Sequence, residues 1–348
     1  MKKSLISASV ASVLTLASFG ALADGPNFYG RLDLSVTNSD TGATTQEGKE
    51  GTVFENNFSH LGVKGSETIA KGFDVIYQME FQVENTSVSS DVFKARNTFL
   101  GLKTAAGTVL VGRNDTVFKQ SEGGIDLFGN SNADIDRLAP GQTRSADGIW
   151  YYSPKIADLV TLNATYLMTD NNQPGVDDAD TQYALSATVG DKKLKQQNFY
   201  VAGAYNKGIS NIDAYRGVAQ VKLGDFKVGG LFQNSESVID KTFEGNTYFV
   251  NAAYNLNGVN LKAEYGKDES GLGKYFANVS GIKPVAGQAT ELSDVNVTSI
   301  VVGADYRIAK STLVYGHYAM YEGDYKLSGA KVDLKDDKIF TVGVRYDF

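Results

Sequence analysis

Three features of the sequence predict an all-β fold, namely a transmembrane antiparallel β-barrel of about sixteen strands. Apolar residues return at every second position in many separate segments, as they do in strands with one apolar face. The connections between these segments alternate between short and long, which is typical of a barrel with trimmed turns at one end. Glycine is plentiful (37) and proline scarce (5), a mixture that favours strands and turns over helices.

The alternation is clearest at the C-terminus, where the chain ends in KIFTVGVRYDF. The same two-residue period returns in LVTLNATYLMT, TQYALSATVG and NTYFVNAAYN, and a helical period fits none of them as well. The apolar set of the last segment is Phe340, Val342, Val344, Tyr346 and Phe348. Sixteen such segments are predicted to begin near residues 27, 56, 72, 92, 107, 146, 158, 180, 197, 212, 225, 246, 258, 294, 311 and 338.

The connections differ in length in a regular way. Those after even-numbered segments are short, as in ETIAKG, LGD and NLNG, whereas the longest follow odd-numbered segments, at about 37–55, 115–144 and 268–293. Successive connections of a meander lie at opposite ends, so one end carries short periplasmic turns and the other long external loops. The alternative is a soluble β-sandwich, which would bury its apolar faces and need not sort its loops by end.

The N-terminus predicts export. Residues 1–23 have two lysines, a short apolar stretch rich in Ser and Ala, and a small-x-small ending, so they are interpreted as a signal peptide cleaved after Ala23; the alternative is a membrane anchor. The mature chain is then 24–348, with a net charge of 31 − 40 = −9, which argues against a nucleic-acid partner. The absence of cysteine excludes disulfides and thiolate chemistry.

A barrel in lipid places its apolar face outward, because closing the sheet gives every backbone N–H and C=O an internal partner. A lumen of about sixteen strands is too wide for side chains to fill, so it is expected to hold water. On this reading the last strand faces lipid, with Tyr346 and Phe348 near the periplasmic interface. The alternate residues are expected to be solvated by the channel: Arg216, Gln220, Lys222, Asn251, Lys262 and Glu264.

Several stretches, in order and at their spacing, resemble the general trimeric porins of Gram-negative bacteria over essentially the whole mature chain. The resemblance rests on FYGRLDLS, NFSHLGVKGSE, ARNTFLGLKTAAGTVLVGRND and RSADGIWYYSP, with GADYRIAKST and the terminal Phe348 in addition. It implies a homotrimer of sixteen-stranded barrels that passes small hydrophilic solutes and ions by diffusion, without a cofactor or a bound metal. It also implies that the third external loop, at 115–145, folds back into the barrel.

The resemblance further implies partners and a charged constriction. The partners are outer-membrane lipid and lipopolysaccharide, together with the barrel-assembly machinery, which in this family reads the terminal Phe348. In the family an acidic loop faces a ladder of basic wall residues. The matching wall positions here are Arg31, Arg96 and Arg144, with His60 where the family commonly has arginine. The candidate loop acids are Glu122, Asp126, Asp134 and Asp136.

Some of these assignments have alternatives. His60 removes one fixed positive charge if it is neutral at pH 7, or it is an ordinary lumen residue without influence on transport. Asp134 and Asp136 line the narrowest point, or are solvated loop residues, or bind a divalent ion. With the excess of loop carboxylates and a mature charge of −9, the sequence predicts a mild cation preference.

The sequence offers little for an enzymatic function. A membrane hydrolase needs a base beside a nucleophile, but His60 and His317 are the two histidines and no Gly-x-Ser-x-Gly elbow occurs. The chain is therefore predicted not to be an enzyme. The alternatives that remain are a solute-specific porin and a barrel that acts mainly as an adhesin or receptor through its acidic external loops.

Overall fold

The computed structural model describes residues 25–84, 86, 91–168 and 181–348. The predicted signal peptide, with its cleavage site after Ala23, lies outside these residues, and so does the acidic external loop predicted at 170–180. The described strands are β1 Asn27–Ser39, β2 Gly51–Asn56, β3 His60–Ala70, β4 Phe73–Val83, β5 Phe93–Thr104, β6 Gly107–Asp115, β7 Arg144–Tyr152, β8 Val160–Leu167, β9 Gln182–Gly190, β10 Phe199–Lys207, β11 Ile212–Leu223, β12 Phe226–Ser237, β13 Glu244–Leu256, β14 Val259–Asp268, β15 Leu292–Arg307, β16 Thr312–Leu327, β17 Ala330–Asp333 and β18 Asp337–Asp347.

The eighteen described strands form one closed antiparallel sheet with sixteen positions around the barrel. β2 and β3 share one position, because both pair with β1, and β17 and β18 share another beside β16. The predicted count of sixteen is therefore confirmed, and the predicted second segment is two shorter strands. The predicted starts lie within five residues of the observed ones.

The barrel closes between its first and last strands. β1 pairs with β18 from Arg31 to Ser39, and beyond this register Gly30 and Phe348 exchange both backbone hydrogen bonds, at 2.9 and 3.0 Å. The Phe348 ring lies over Gly30, so close that a Cβ on this glycine would come within 2.3 Å of the ring. The last residue of the chain is thus part of the closing seam.

The two faces of the sheet differ as the alternation predicts. Large apolar side chains are exposed at all sixteen positions of the described sheet. On β18, Phe340 and Val342 are 58% and 51% exposed and the adjoining Phe348 is 63% exposed, whereas the intervening Thr341 is fully buried. The apolar face therefore points outward, as in a protein whose surrounding solvent is hydrocarbon. No helix among the described residues is long and apolar enough to cross a membrane.

The two ends of the barrel differ in their connections. At one end, which also holds both ends of the described chain, four connections have only two residues, at 71–72, 105–106, 224–225 and 257–258. We call this the short-turn end. The longest connections, at 116–143 and 269–291, lie at the other end, the long-loop end. The sorting has exceptions, because the connection at 208–211 is short and the turns at 153–159 and 191–198 are longer.

The 116–143 connection is packed against the wall. It contains a short helix, α1 (Val117–Gln120), and a single 3-10 turn at Ile135–Arg137. Its apolar side chains join two apolar clusters with wall residues from β6 to β18. The connection contributes Val117, Phe118, Ile125, Phe128, Ile135 and Leu138, all at most 5% exposed. The buried wall residues of the two clusters alternate along their strands with the exposed apolar residues, so they lie on the opposite face of the sheet.

One expectation about this face is wrong. Arg216, Gln220, Asn251 and Glu264 were expected to be solvated, but all four are at most 5% exposed. The physical reason is that the connection covers them and supplies their hydrogen-bond partners. Lys222, which lies two residues beyond Gln220 toward the short-turn end, is exposed as expected.

The 269–291 connection covers part of the long-loop end. Its helix, α2 (Lys274–Ser280), buries Tyr275 and Phe276. The ring of Tyr275 stacks on Tyr321 and the ring of Phe276 meets Tyr325 edge to face, both on β16. The amide of Asn278 donates to the carbonyl of Ala43 at 2.8 Å, which links this connection to the one at 40–50.

Candidate functional site

The four predicted basic wall residues lie on four strands of one arc of the barrel. Arg31 is on β1, His60 on β3, Arg96 on β5 and Arg144 on β7, and Arg31 and His60 are directly opposed in register. All four side chains lie near the end of a strand or beside an irregularity in pairing. The predicted set is therefore grouped on one arc.

Each arginine of this set has a carboxylate partner that the sequence did not indicate. Arg31 Nε donates to Asp347 Oδ1 at 2.7 Å and Arg96 Nε donates to Glu80 Oε1 at 2.5 Å. Arg144 Nη2 lies 3.2 Å from Asp115 Oδ1. Because each pair sums to no net charge, the arc carries less free positive charge than a row of cations would.

Glu80 is the centre of the most closely connected group. Its Oε2 accepts from the Tyr29 hydroxyl at 2.8 Å and lies 3.8 Å from His60 Nε2. The other ring nitrogen of His60 lies 2.9 Å from the carbonyl oxygen of Phe58. Glycine at position 62 leaves room for the Tyr29 ring, which a Cβ there would approach to 2.7 Å. His60 thus lies beside a carboxylate and an aromatic ring.

Arg144 connects the wall to the start of the 116–143 connection. Its Nε donates to Asn97 on β5, and its partner Asp115 is the last residue of β6. The same Asp115 oxygen lies 3.4 Å from Lys119 Nζ in α1. One carboxylate therefore holds a wall cation and a cation of the connection.

Two of the predicted loop acids have structural partners. Asp134 caps the 3-10 turn, since its carboxylate accepts the N–H of Asp136 at 2.9 Å and that of Asn130 at 2.7 Å. Asp136 pairs with Lys274 of α2 and lies 3.6 Å from Arg137. Burial favours the neutral form of Asp136, but the two cations outweigh it and lower its pKa.

The other two acids have no Lys or Arg nitrogen within 4 Å in the described part of the chain. Glu122 accepts from the Gln142 amide at 2.8 Å, and burial raises its pKa to about 7, although Arg216 acts in the opposite direction. Asp126 accepts the N–H of Phe128 at 3.1 Å, and burial with the neighbouring carboxylates raises its pKa. These two are the weakly compensated acids of the connection.

Asp126 shares a cavity with cations other than the four predicted wall residues. It lines a cavity of about 400 Å³ together with Lys262, Arg307 and Arg345 on β14, β15 and β18. Arg31, His60, Arg96 and Arg144 do not line this cavity. The sequence placed Lys262 on the channel face, and the alternation around Arg345 suggests the same face, but nothing in the sequence joined these two cations to Asp126.

Asn132, in the 116–143 connection, was not predicted and contacts four wall residues through its side-chain amide. Its Nδ2 lies 3.0 Å from Thr37 Oγ1, 2.7 Å from Glu55 Oε2 and 2.9 Å from Thr341 Oγ1. Its Oδ1 lies 2.7 Å from His317 Nε2. One amide thus joins the connection to β1, β2, β16 and β18.

Further wall side chains bind the backbone of the connection. Arg216 Nη1 donates to the carbonyl of Phe118 at 3.1 Å, and its guanidinium lies 4.2 Å from the Phe118 ring centroid. Gln220 donates to the carbonyl of Gly124 at 2.8 Å. The remaining bonds of this kind are Lys262 to the carbonyl of Leu127, Asn251 to that of Ile125, and Gln233 to that of Pro140.

Metal ligation is limited in the described ranges, where no group of three or more His, Cys, Asp or Glu side chains could hold an ion. Asp134 accepts from backbone N–H groups, and Asp136 lies beside the cations Lys274 and Arg137. Among the described residues no third acidic side chain joins these two as a possible metal ligand. The chemistry that this arrangement supports is electrostatic and hydrogen-bonding contact with polar solutes.

Comparison with known proteins places these features in context. A family model described as Gram-negative porin matches residues 8–327. The chain is 25% identical, over 392 aligned residues that cover all of both chains, to the major outer membrane protein P.IB of Neisseria sicca.

Two solved structures have a similar fold. An anion-selective porin from Comamonas acidovorans has a TM-score of 0.67 at 17% identity, covering 93% of this chain and 100% of that one. The in-vitro folded OmpT of Vibrio cholerae, in its trimer form, has a TM-score of 0.63 at 17% identity, covering 93% and 99%. At this identity the likeness concerns the fold.

Proposed function

Because the chain belongs to the Gram-negative porin family, we propose that its barrel has a charged constriction between the 116–143 connection and the β1–β7 wall, through which small hydrophilic solutes and ions diffuse. The chain is an outer-membrane β-barrel channel for solute diffusion. The observation that carries the finer proposal is that the connection takes its hydrogen-bond partners from the face of the sheet opposite to the exposed apolar residues.

The proposal requires that the connection folds back into the barrel. The contacts of Asn132 with Thr37 and Thr341 support this, because those threonines alternate with Val36 and Val342 of the exposed apolar belt. Contacts of Gly124 and Leu127 with Gln220 and Lys262 support it from the opposite wall. A loop that remained outside the barrel could not reach both sets of partners.

A cross-linking experiment tests the position of the connection. The chain has no cysteine, so the pair Asn132→Cys and Thr341→Cys adds two unique thiols. A short bis-thiol reagent is expected to join them within the folded protein, which would change its migration after denaturation. The matched control pairs Asn132→Cys with Ala286→Cys of the 269–291 connection, and it should not be joined. Failure of the first pair in protein that conducts ions would contradict the inward loop.

We further propose a mild cation preference. The wall arginines are paired, Glu122 and Asp126 have no cation within 4 Å in the described part of the chain, and the mature chain is predicted to carry −9. The measurement is the reversal potential of purified protein in a planar bilayer under a KCl gradient. A reversal potential of the anion-preferring sign would refute this preference, although the channel itself would stand.

The assembly proposed is a homotrimer in contact with lipopolysaccharide. The neighbour from Vibrio cholerae is described in a trimer form, which supports three-fold assembly by analogy of fold. Channel closures in three equal steps, together with a trimer mass in detergent, are the expected results. A single closing step at monomer mass would contradict it.

Export and insertion are proposed from the two ends of the chain. Cleavage after Ala23 predicts a mature N-terminus at Asp24, which the intact mass of the purified protein would test. The exposed Phe348, paired with Gly30, supports a role in assembly by the barrel-inserting machinery. Replacing Phe348 by Ala is expected to reduce the amount inserted in cells by more than it reduces stability of the folded protein in detergent.

The same contacts support a function without enzyme chemistry. His317 Nε2 is engaged by Asn132 and His60 Nδ1 by a backbone carbonyl, so each histidine has a partner other than a nucleophile. Release of lipid products by purified protein would contradict this.

A further inference from the structure

Positive charge without a partner gathers at the short-turn end, away from the predicted basic ladder. Five exposed lysines lie there on the 191–198 turn and on the adjoining ends of β11 and β12. No carboxylate oxygen lies within 4 Å of any of their ammonium groups in the described ranges, unlike Arg31, Arg96 and Arg144. We call them the exit lysines: Lys192, Lys193, Lys195, Lys222 and Lys227.

The 191–198 turn has a defined shape that presents three of these lysines. The carboxylate of Asp191 accepts the N–H groups of Lys193, Lys195 and Gln196 at 2.9, 2.8 and 2.8 Å. Leu194, between the lysines, is buried in the apolar cluster that also contains Ile125 of the connection. The turn is therefore anchored by its own carboxylate and by Leu194, while its ammonium groups stay in solvent.

The turn also touches the 116–143 connection. A Cβ on Gly124 would lie 3.0 Å from the carbonyl oxygen of Lys192. The carbonyl of the same Gly124 accepts from Gln220 on β11. The three lysines of the turn thus lie beside the part of the connection that is packed against β11 and β12, at its short-turn side.

The other two exit lysines face each other across two strands. Lys222 and Lys227 are directly opposed in the β11–β12 register, an arrangement that is unfavourable for like charges. They share a face with Gln220 and Gly229, which both contact the connection. The nearby acids do not relieve the repulsion, because Asp225 forms no ion pair with them within 4 Å and Asp191 is occupied by backbone N–H groups.

We propose that the exit lysines form an anion-recruiting site at the short-turn mouth of the channel, which attracts small oxyanions and makes ion selectivity depend on the side from which ions enter. Clustered charge of one sign beside a low-dielectric wall concentrates counter-ions locally. Screening limits this effect to about 3 Å at 1 M salt but extends it to about 30 Å at 0.01 M. The inference rests on the proposed channel function.

The test compares reversal potentials with the dilute KCl solution on either side of a planar bilayer. With the dilute side at the short-turn mouth, the cation-to-anion permeability ratio is expected to be about twofold lower than in the opposite arrangement. In the variant Lys193→Gln/Lys195→Gln this difference should shrink by half or more. Inorganic phosphate added at the short-turn side should reduce KCl current in the native protein by more than in the variant.

The matched control is Lys71→Gln/Lys310→Gln, which removes two exposed lysines from other turns at the same end. It should keep the native difference between the two arrangements. The orientation of the channels in the bilayer is read with Ala286→Cys in the 269–291 connection, which gives the chain one thiol. A bulky impermeant maleimide added to one chamber labels this thiol when the long-loop end faces that chamber.

The outcomes separate the two proposals. If the folded protein does not conduct ions, the proposed channel function is refuted, and the lysine site is refuted with it. Conductance with equal potentials in both arrangements would overturn the anion site while the channel stands. An equal response to the control variant would also overturn it, because the effect would then belong to the net charge of that end.

Discussion

Two arcs of the same barrel treat their inward polar side chains differently. On β11 and β12, Arg216, Gln220 and Gln233 bind backbone carbonyls of the 116–143 connection. On β1 to β7, Arg31, Arg96 and Arg144 bind carboxylates instead. The alternation of polar and apolar residues is the same in both arcs. The difference teaches that the partner of a polar wall residue depends on whether the 116–143 connection packs against it.

The largest effect is expected for Arg216→Met on β11, where the 116–143 connection covers the wall. This change removes the hydrogen bonds to Phe118 and Gln233 and leaves buried carbonyl groups without a donor. We expect a loss of about 3 kcal/mol in the free energy of unfolding, since hydrogen bonds to charged groups are the stronger ones. Denaturant unfolding of the detergent-solubilised protein measures it. Arg113→Met, half-buried near the end of β6, is the control and should cost much less.

The next effect concerns Asn132, where the connection meets the barrel seam. Asn132→Ala leaves Glu55, Thr341 and His317 without their amide partner. A cost of about 2 kcal/mol and larger fluctuations of open-channel current are expected, because a buried polar cluster loses its common member. Single-channel recording detects the second effect. Quiet currents with unchanged unfolding would show that the connection is held by its apolar residues alone.

A change of ion selectivity rather than of stability is expected on β1 to β7, where the wall arginines are paired with carboxylates. Glu80→Gln leaves Arg96 without its carboxylate and places an uncompensated cation beside His60. The reversal potential should move toward anions, by about twofold in permeability ratio, because paired wall charges then become net positive. Glu67→Gln, an exposed residue of β3, should leave it unchanged. A shift of the same size in both variants would argue against a special role for the pair.

The smallest effect is a pH dependence that belongs to the connection. Burial raises the pKa of Glu122 to about 7, so its carboxyl group is largely neutral at pH 6 and charged at pH 8. Cation preference should therefore increase as pH rises through 7. The same raised pKa means that the native state is relatively most stable where Glu122 is neutral, and that this contribution is lost as pH rises through 7. In Glu122→Gln the pH step in reversal potential should be absent.

Much of the fold was predictable, for reasons that particular residues show. Phe340, Val342 and Phe348 alternate with Thr341 and Gly343, and a two-residue period leaves an extended strand no choice about which face each side chain takes. The match of the wall strands to the predicted segments follows from this rule. The interrupted second strand was not predicted, because the break at 57–59 is stabilised by distant partners such as Tyr315.

Less of the candidate site was predictable. Arg31, His60, Arg96 and Arg144 were chosen by the family resemblance, and they lie on β1, β3, β5 and β7; their place in a constriction stays a prediction. The sequence did not assign Glu80, Asp115 or Asp347 as their partners, because those contacts depend on the register between strands. For Asp134 it left open a channel acid, a solvated loop residue or a ligand of a divalent ion, and it did not predict that the carboxylate caps a turn.

What the sequence by itself determined is the alternation, the number of strands and the face of each side chain, because these depend on neighbours one or two residues away. What only the tertiary structure decided is which inward residues meet water. Arg216 and Lys222 have the same parity on one strand, yet the first is covered by the connection and the second is exposed at the exit. The physical reason is that burial depends on the path of a segment about eighty to a hundred residues away in the chain, between 116 and 143, and no local pattern records that path.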